Sequence, residues 1–190
     1  MQTLRLFISI NLESTLNERI EALIKEASLS IEGVSWVKPA NSHITLKFLG
    51  ATKIEKINEI NEKLKFISLR HRAFEMSVEG VGCFPEKRSP RVIWTAIGKG
   101  SAEIINLVGD IDTHLFSLGI VKGDKKYVPH ISVGRVKRLS NKIQAISSIE
   151  KLSGFQIGTM FVNNFSLMQS DLKKEGPVYT RLYNYFLSSK

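Results

Sequence analysis

Between Leu4 and Leu12 apolar and polar side chains alternate, with β-branched residues among them, and this pattern predicts an opening strand. The period then changes. Leu16, Ile20, Leu23, Ile24 and Ala27 recur at helical spacing behind Ser14, an N-cap residue type, and Gly33 breaks the helix. Trp36–Val37 and His43–Leu49 read as extended segments separated by a turn at Pro39–Ser42. Thr52 and Glu55 form a capping box ahead of a second helix, with Ile54, Ile57, Leu64 and Ile67 turned inward. Phe74–Phe84 and Arg91–Ile97 follow as strands flanking the turn-rich stretch PEKRSPR at Pro85–Arg91.

The pattern then starts again. Ser101 caps a helix carrying Ile104, Leu107, Ile111, Leu115 and Leu118, closed by Gly119. Tyr127–Val136 is extended, and Ser140 opens a fourth helix through Leu152, stopped by Gly154. Two long strands, near Phe155–Gln169 and Pro177–Leu187, end the chain. Helices mixed with paired strands predict an α+β fold with mixed or mainly antiparallel sheets. The order strand–helix–strand in each half predicts a pseudo-twofold arrangement, two lobes of one domain over residues 1–190.

Composition narrows the class. At 190 residues and 43% hydrophobic content the chain can bury a substantial core. No run approaches the ~20 consecutive apolar residues of a membrane helix. The N-terminal apolar stretch is too short for a signal peptide and has no small-residue cleavage site. Cys83 is the single cysteine, so no disulfide frame is expected, and no Cys/His spacing suggests zinc. Neither a metal nor a cofactor is expected, and a reducing compartment, the cytoplasm, is the simplest location. Charge changes the picture more. The 27 Lys and Arg exceed the 18 Asp and Glu to give +9, a field that attracts polyanions. With no long basic tail, a binding surface has to be assembled by folding.

Two short stretches then stand out: SHITLKFLG at Ser42–Gly50 and PHISVGRVK at Pro129–Lys137. Residues two apart on a strand share a face. His43 with Thr45, and His130 with Ser132, therefore each offer an imidazole and a hydroxyl to one side, while Ile44, Leu46, Ile131 and Val133 anchor the other. A histidine on a strand is commonly a hydrogen-bonded structural residue. Here both copies lie in predicted strands at corresponding places of the two halves, which favours a shared site. The set suits in-line displacement at phosphorus, which needs a base for the nucleophile and an acid for the leaving oxygen. One imidazole can be neutral and its partner charged near neutral pH, and two hydroxyls can hold non-bridging oxygens. Arg135 adds a guanidinium fork for phosphate. His71 and His114 lack the pattern and read as structural or surface residues.

The chain resembles the 2H phosphoesterases, named for two H-x-[ST]-x motifs, and more closely the RNA 2′,3′-cyclic phosphodiesterases historically called 2′-5′ RNA ligases. RLFISINL is similar to the family's opening strand, HITLKFLG to its first motif and GCFPEKRSPRVIW to its central hairpin. YVPHISVGRVK is similar to the second motif, and MQSDLKKEGPVYTRL to the closing segment with its serine, glycine and tyrosine. The resemblance implies a bilobal fold with the site in a central groove, and hydrolysis of RNA 2′,3′-cyclic phosphate ends to a 2′-phosphate. The expected partner is RNA with such ends, tRNA fragments among the candidates, and nothing in the sequence suggests more than a monomer. The resemblance also implies that His43 is the acid and His130 the base, an assignment the residues themselves leave open, with Thr45, Ser132 and Arg135 on the phosphate. If an RNA 5′-hydroxyl replaces water as the nucleophile, the product is a 2′-5′ linkage, and microscopic reversibility makes that activity reversible. The second motif departs from the family by having Ser132 and Val133 where threonine and leucine are usual; serine lacks the β-methyl that stiffens χ1.

A substrate base needs a platform, for which Phe48, Trp94 and Phe7 are candidates, each also suited to a core role. Phe48 stands on the opposite register to His43, near a strand end where register can break. The basic loop Lys87, Arg88 and Arg91 is a candidate for tracking the RNA backbone. Two other readings stay open: a phosphoesterase acting on a small cyclic or 2′-5′ linked nucleotide, and a non-catalytic RNA-end binding module.

Overall fold

Strands and helices follow the expected order in a computed structural model that describes residues 2–123, 126–174 and 176–189. The elements are β1 (Thr3–Asn11), α1 (Ser14–Ser28), β2 (Val34–Trp36), β3 (His43–Lys53), α2 (Ile57–Ser68), β4 (Phe74–Phe84), β5 (Val92–Ile97) and α3 (Ser101–Phe116). They continue with β6 (His130–Val136), α4 (Lys142–Lys151), β7 (Gln156–Val162), β8 (Asn164–Lys173) and β9 (Gly176–Phe186). Short 3-10 turns at Pro39–Asn41 and Ile54–Lys56 precede β3 and α2.

All the strand pairings between these elements are antiparallel. The order is β7-β4-β5-β6-β3-β1-β8-β9, with β2 added beside β6. At the centre, β3 and β6 are paired through Ile44 and Ile131 alone. The sheet is therefore two half-sheets, β7-β4-β5-β6 and β3-β1-β8-β9, meeting along a narrow joint.

These lobes do not coincide with the two halves of the chain, which is what the repeated order of elements predicts. The first two long strands and the last two build one lobe, and the middle of the chain builds most of the other. The helices cross over as well: α1, which follows β1, packs on β7, and α3, which follows β5, packs on β3 and α2. Hydrophobic period determines which face of an element is buried, but strand partners are chosen by long-range pairing that the period does not encode.

One face of the sheet carries the core. Leu6, Ile8 and Ile10 of β1 pack with Ile44 and Leu46 of β3, under Ile60, Leu64 and Ile67 of α2 and Ile104, Leu107 and Ile111 of α3. On α1 the buried residues are Leu16, Ile20, Leu23 and Ala27, with Ile24 partly buried against the core.

Several boundaries differ from expectation. The helix starts use other residues: Glu13 and Gly100 occupy the N-cap positions of α1 and α3, and Asn141 rather than Ser140 caps α4, its side chain accepting from the Gln144 N–H at 3.1 Å. Gly100 has φ 84°, a left-handed position that glycine adopts without the Cβ penalty. Thr52 forms no capping box, because it lies within β3 and its hydroxyl donates to the Gly50 carbonyl. Ile54 consequently sits in a turn and is exposed. The run expected as one strand over Phe155–Gln169 is β7 and β8, separated at Asn163, whose carbonyl accepts from Leu187 N–H.

Candidate active site

The site grows from the Ile44–Ile131 joint. Both side chains are fully buried on the core face, so their neighbours on each strand project from the opposite, open face. His43, Thr45, His130 and Ser132 all fall there. The antiparallel Ile44–Ile131 pair brings the two motifs together head to tail, and all four side chains line one groove.

Both histidines are held by the same device. His43 Nδ1 lies 2.7 Å from the Asn41 carbonyl and His130 Nδ1 lies 2.7 Å from the Val128 carbonyl, each two residues upstream. A carbonyl only accepts, so Nδ1 carries the proton in both rings and Nε2 presents a lone pair. Thr45 Oγ1 is 3.0 Å from His43 Nε2 and donates to it. Burial lowers the pKa of both rings; the carbonyl bonds oppose this, and for His43 the charge on a protonated His130 lowers it further.

Each ring is also steadied by an aromatic edge. Tyr179 meets His43 at 5.3 Å with planes at 90°, and Phe84 meets His130 at 5.0 Å and 84°. Phe7 lies 5.0 Å from both His43 and Tyr179; at 3% exposure it packs beneath the site rather than presenting a free face.

Matching irregularities follow the two motifs. The β1–β3 register slips between Ile8 and Ser9, so Leu46 and Lys47 together oppose what one residue would in a regular ladder. The slip turns Lys47 inward, where it pairs with Asp112 of α3, and returns Phe48 to the open face, 68% exposed. In β6 the slip falls between Ser132 and Gly134, opposite Ile93 and Trp94, and places Arg135 on the open face. HITLKF and HISVGR therefore present His, hydroxyl and a third side chain alike: Phe48 from one lobe and Arg135 from the other.

The resulting groove has a volume of about 560 Å³ and contains His43, Thr45, Phe48, His130, Ser132 and Arg135 in its walls. Arg5 and Lys38 add two further cations, and no carboxylate is among the described lining residues. Tyr179 also lines it; burial raises its phenol's pKa, against the pull of Arg135 and Arg5.

Other sequence candidates lie outside the groove lining. Trp94 packs against Phe84 at 4.9 Å and edge-on against His130 at 6.3 Å, and it lines a separate cavity with Glu79 and Gln156. Arg91 is outside the groove lining, its backbone tied to Phe84 and Val136, and Lys87 of the same loop is paired with Glu150 at 3.0 Å. His71 bonds Asp110 at 3.0 Å, and His114 Nδ1 donates to the Asp110 carbonyl, so both serve the α2–α3 side of the fold. Arg5 and Lys38 carry no motif signature, whereas Tyr179 is the tyrosine of the closing segment, whose Ser170 and Gly176 also line the groove. Arg5 shares the parity of Phe7 on β1, a usable signal, but Lys38 reaches the groove only through the β2–β3 turn. Glu175, within the closing segment that resembles the family's, lies outside the described residues.

Comparison with known proteins places the chain in a family. Residues 10–94 match the family model described as LigT like Phosphoesterase. The chain is 37% identical over 179 residues to an RNA 2′,3′-cyclic phosphodiesterase of Archaeoglobus fulgidus, covering 94% of this chain and 98% of that one. It is 31% identical to the protein of the same name from Aquifex aeolicus, covering 98% and 99%. Its fold matches a crystal structure from Thermus thermophilus with TM-score 0.82 and 24% identity, over 96% of this chain and 97% of that one. With identity at this level over nearly the full length of both relatives, the chain belongs to the RNA 2′,3′-cyclic phosphodiesterase family of LigT-like phosphoesterases.

Proposed function

We propose that this protein opens RNA 2′,3′-cyclic phosphate ends to a 2′-phosphate and a free 3′-hydroxyl, using His43 as acid and His130 as base. The observation that carries the proposal is the pair of Nε2 lone pairs presented to one cationic groove by identical Nδ1–H···O=C supports. His130 Nε2 removes a proton from water as its oxygen attacks phosphorus. The P–O3′ bond breaks on the opposite side, and His43, protonated at Nε2 in the substrate complex, gives that proton to the departing 3′ oxygen. Thr45 and Ser132 hydrogen-bond the non-bridging oxygens, and Arg135 balances their charge. Family membership and the relatives' shared name support the substrate class.

Burial leaves both rings neutral in the free protein near pH 7, so the acid acquires its proton with the substrate. An entering phosphate anion favours the charged imidazole. With an RNA 5′-hydroxyl in place of water, the same displacement runs in the same direction: His130 takes the hydroxyl's proton, the P–O3′ bond breaks, and the product is a 2′-5′ linkage, with bulk water as the competing nucleophile. On this reading one bilobal domain of residues 1–190 acts as a monomer on cytoplasmic RNA ends, tRNA fragments included.

Paired alanine variants provide the test. His43→Ala and His130→Ala are each expected to lose roughly 10²–10⁴-fold in kcat, with unchanged circular dichroism. Near-normal turnover by either folded variant contradicts the paired acid–base mechanism.

A further inference from the structure

The two motif strands share one ladder pair, Ile44–Ile131, yet the chemistry requires the imidazoles to hold a fixed mutual position. A second connection exists outside the ladder. The Tyr127 hydroxyl donates to the Thr45 carbonyl at 2.9 Å, from a ring largely withdrawn from water. Burial pushes its phenol well above the usual tyrosine range, which keeps it a donor. Val128, the next residue, provides the carbonyl that accepts His130 Nδ1–H, and Pro129 stiffens the step between them.

The first motif has a counterpart. Asn41 supplies the carbonyl for His43, and its own side chain donates to the Pro177 carbonyl of β9 at 3.1 Å. In each motif, then, the segment supplying the histidine's carbonyl is itself anchored to a neighbouring strand. For His130 that anchor is the strand carrying the other histidine.

We propose that Tyr127 is a positioning residue for the reaction: its hydroxyl fixes the Val128 carbonyl relative to β3, and so sets the tautomer and placement of His130 against Thr45 and His43. The inference rests on the acid–base reading above. Tyr127 touches no reacting atom. Without its hydroxyl the Tyr127–Pro129 segment loses its link to β3, and His130 can turn away or exchange Nδ1–H for Nε2–H, which removes the basic lone pair from the groove.

The test is Tyr127→Phe, which deletes one oxygen and keeps the ring. Misplacement of a catalytic group by about 1 Å can cost about 10²-fold, so kcat is expected to fall roughly 10- to 100-fold with KM for cyclic-ended RNA close to wild type. Imidazole ¹⁵N shifts should show His130 moving from the Nδ1–H tautomer towards a mixture, with His43 unchanged. A purely structural tyrosine would lower the melting temperature and leave kcat and the tautomer of the folded protein alone. That outcome overturns the proposal. The parent reading fails separately: if His130→Ala stays active, the base assignment is wrong, whereas an inactive His130→Ala beside a fully active Tyr127→Phe removes only the role of Tyr127.

Discussion

At the scale of single residues the account turns on two imidazoles that are buried enough to resist protonation. Both titrate below the ordinary histidine value of about 6.5, because burial penalises the charged ring. The base must be neutral and the acid charged, so lowering both values moves both limbs of the kcat/KM profile down. The optimum of kcat/KM is therefore expected below pH 6.5, measured on a cyclic-ended oligonucleotide. In kcat, which reports the substrate complex, the basic limb should lie at higher pH because bound phosphate restores the proton. An optimum of kcat/KM above pH 7.5 contradicts this. Folding responds with the same sign: the unfolded chain binds protons more readily, so the stability these rings contribute is complete above about pH 6.5 and is lost as pH falls through their lower folded values. Identity of the pair was legible from sequence because H-x-[ST] on an alternating strand leaves no freedom about facing. The supports at Asn41 and Val128 were not, since a carbonyl carries no side-chain signature.

At the scale of elements, placement depends on irregularities in the ladder. A regular β3 would turn Phe48 away from His43, and its opposite register is what the alternation of HITLKF predicts. The slip at Leu46–Lys47 reverses that, and the Lys47–Asp112 pair on the core side shows what occupies the extra inward position. In β6 the residue at the corresponding slip is Gly134, and the close approach of β2 requires a glycine there, because a Cβ would stand 2.6 Å from Val34 Cγ1 and 2.9 Å from Trp36 Cε3. Gly134→Ala is expected to push β2 off β6, destabilise by about 1–3 kcal/mol as overpacking does, and raise KM through Arg135 more than it lowers kcat. Urea unfolding together with steady-state kinetics checks both; wild-type stability would mean that β2 yields freely. Helix positions were readable from their periods, whereas their caps were not. Thr52 and Glu55 have the spacing of a capping box, yet strand pairing of Thr52 with Leu4 takes precedence over the local motif.

At the scale of the whole molecule, the interleaved topology is what lets two remote segments share a joint. β3 and β6 are 87 positions apart at their histidines, and they meet because each is the inner edge of its own half-sheet. Nothing in the amphipathic pattern encodes which strands become inner edges, so repeated order suggested lobes that follow the halves of the chain. Charge, by contrast, carried through directly. The surplus of +9 appears locally as Arg5, Lys38 and Arg135 around a groove whose described lining has no carboxylate. Binding of RNA there should weaken with salt, log KM rising by about 0.7 per phosphate held for each unit of log salt, as for single strands. The kcat value should change little, because the acid and base are shielded in the groove. A salt-independent KM for an oligomer would point to recognition of the terminal nucleotide alone.

The central claim is that two imidazoles on opposite sides of one phosphorus open a cyclic diester towards the 3′ oxygen. The most direct measurement is ³¹P NMR of an RNA oligomer ending in a 2′,3′-cyclic phosphate, incubated with the purified protein in EDTA. The account predicts loss of the cyclic resonance and growth of a 2′-phosphate monoester. A 3′-phosphate product would contradict the leaving group, and an untouched cyclic end would contradict the reaction.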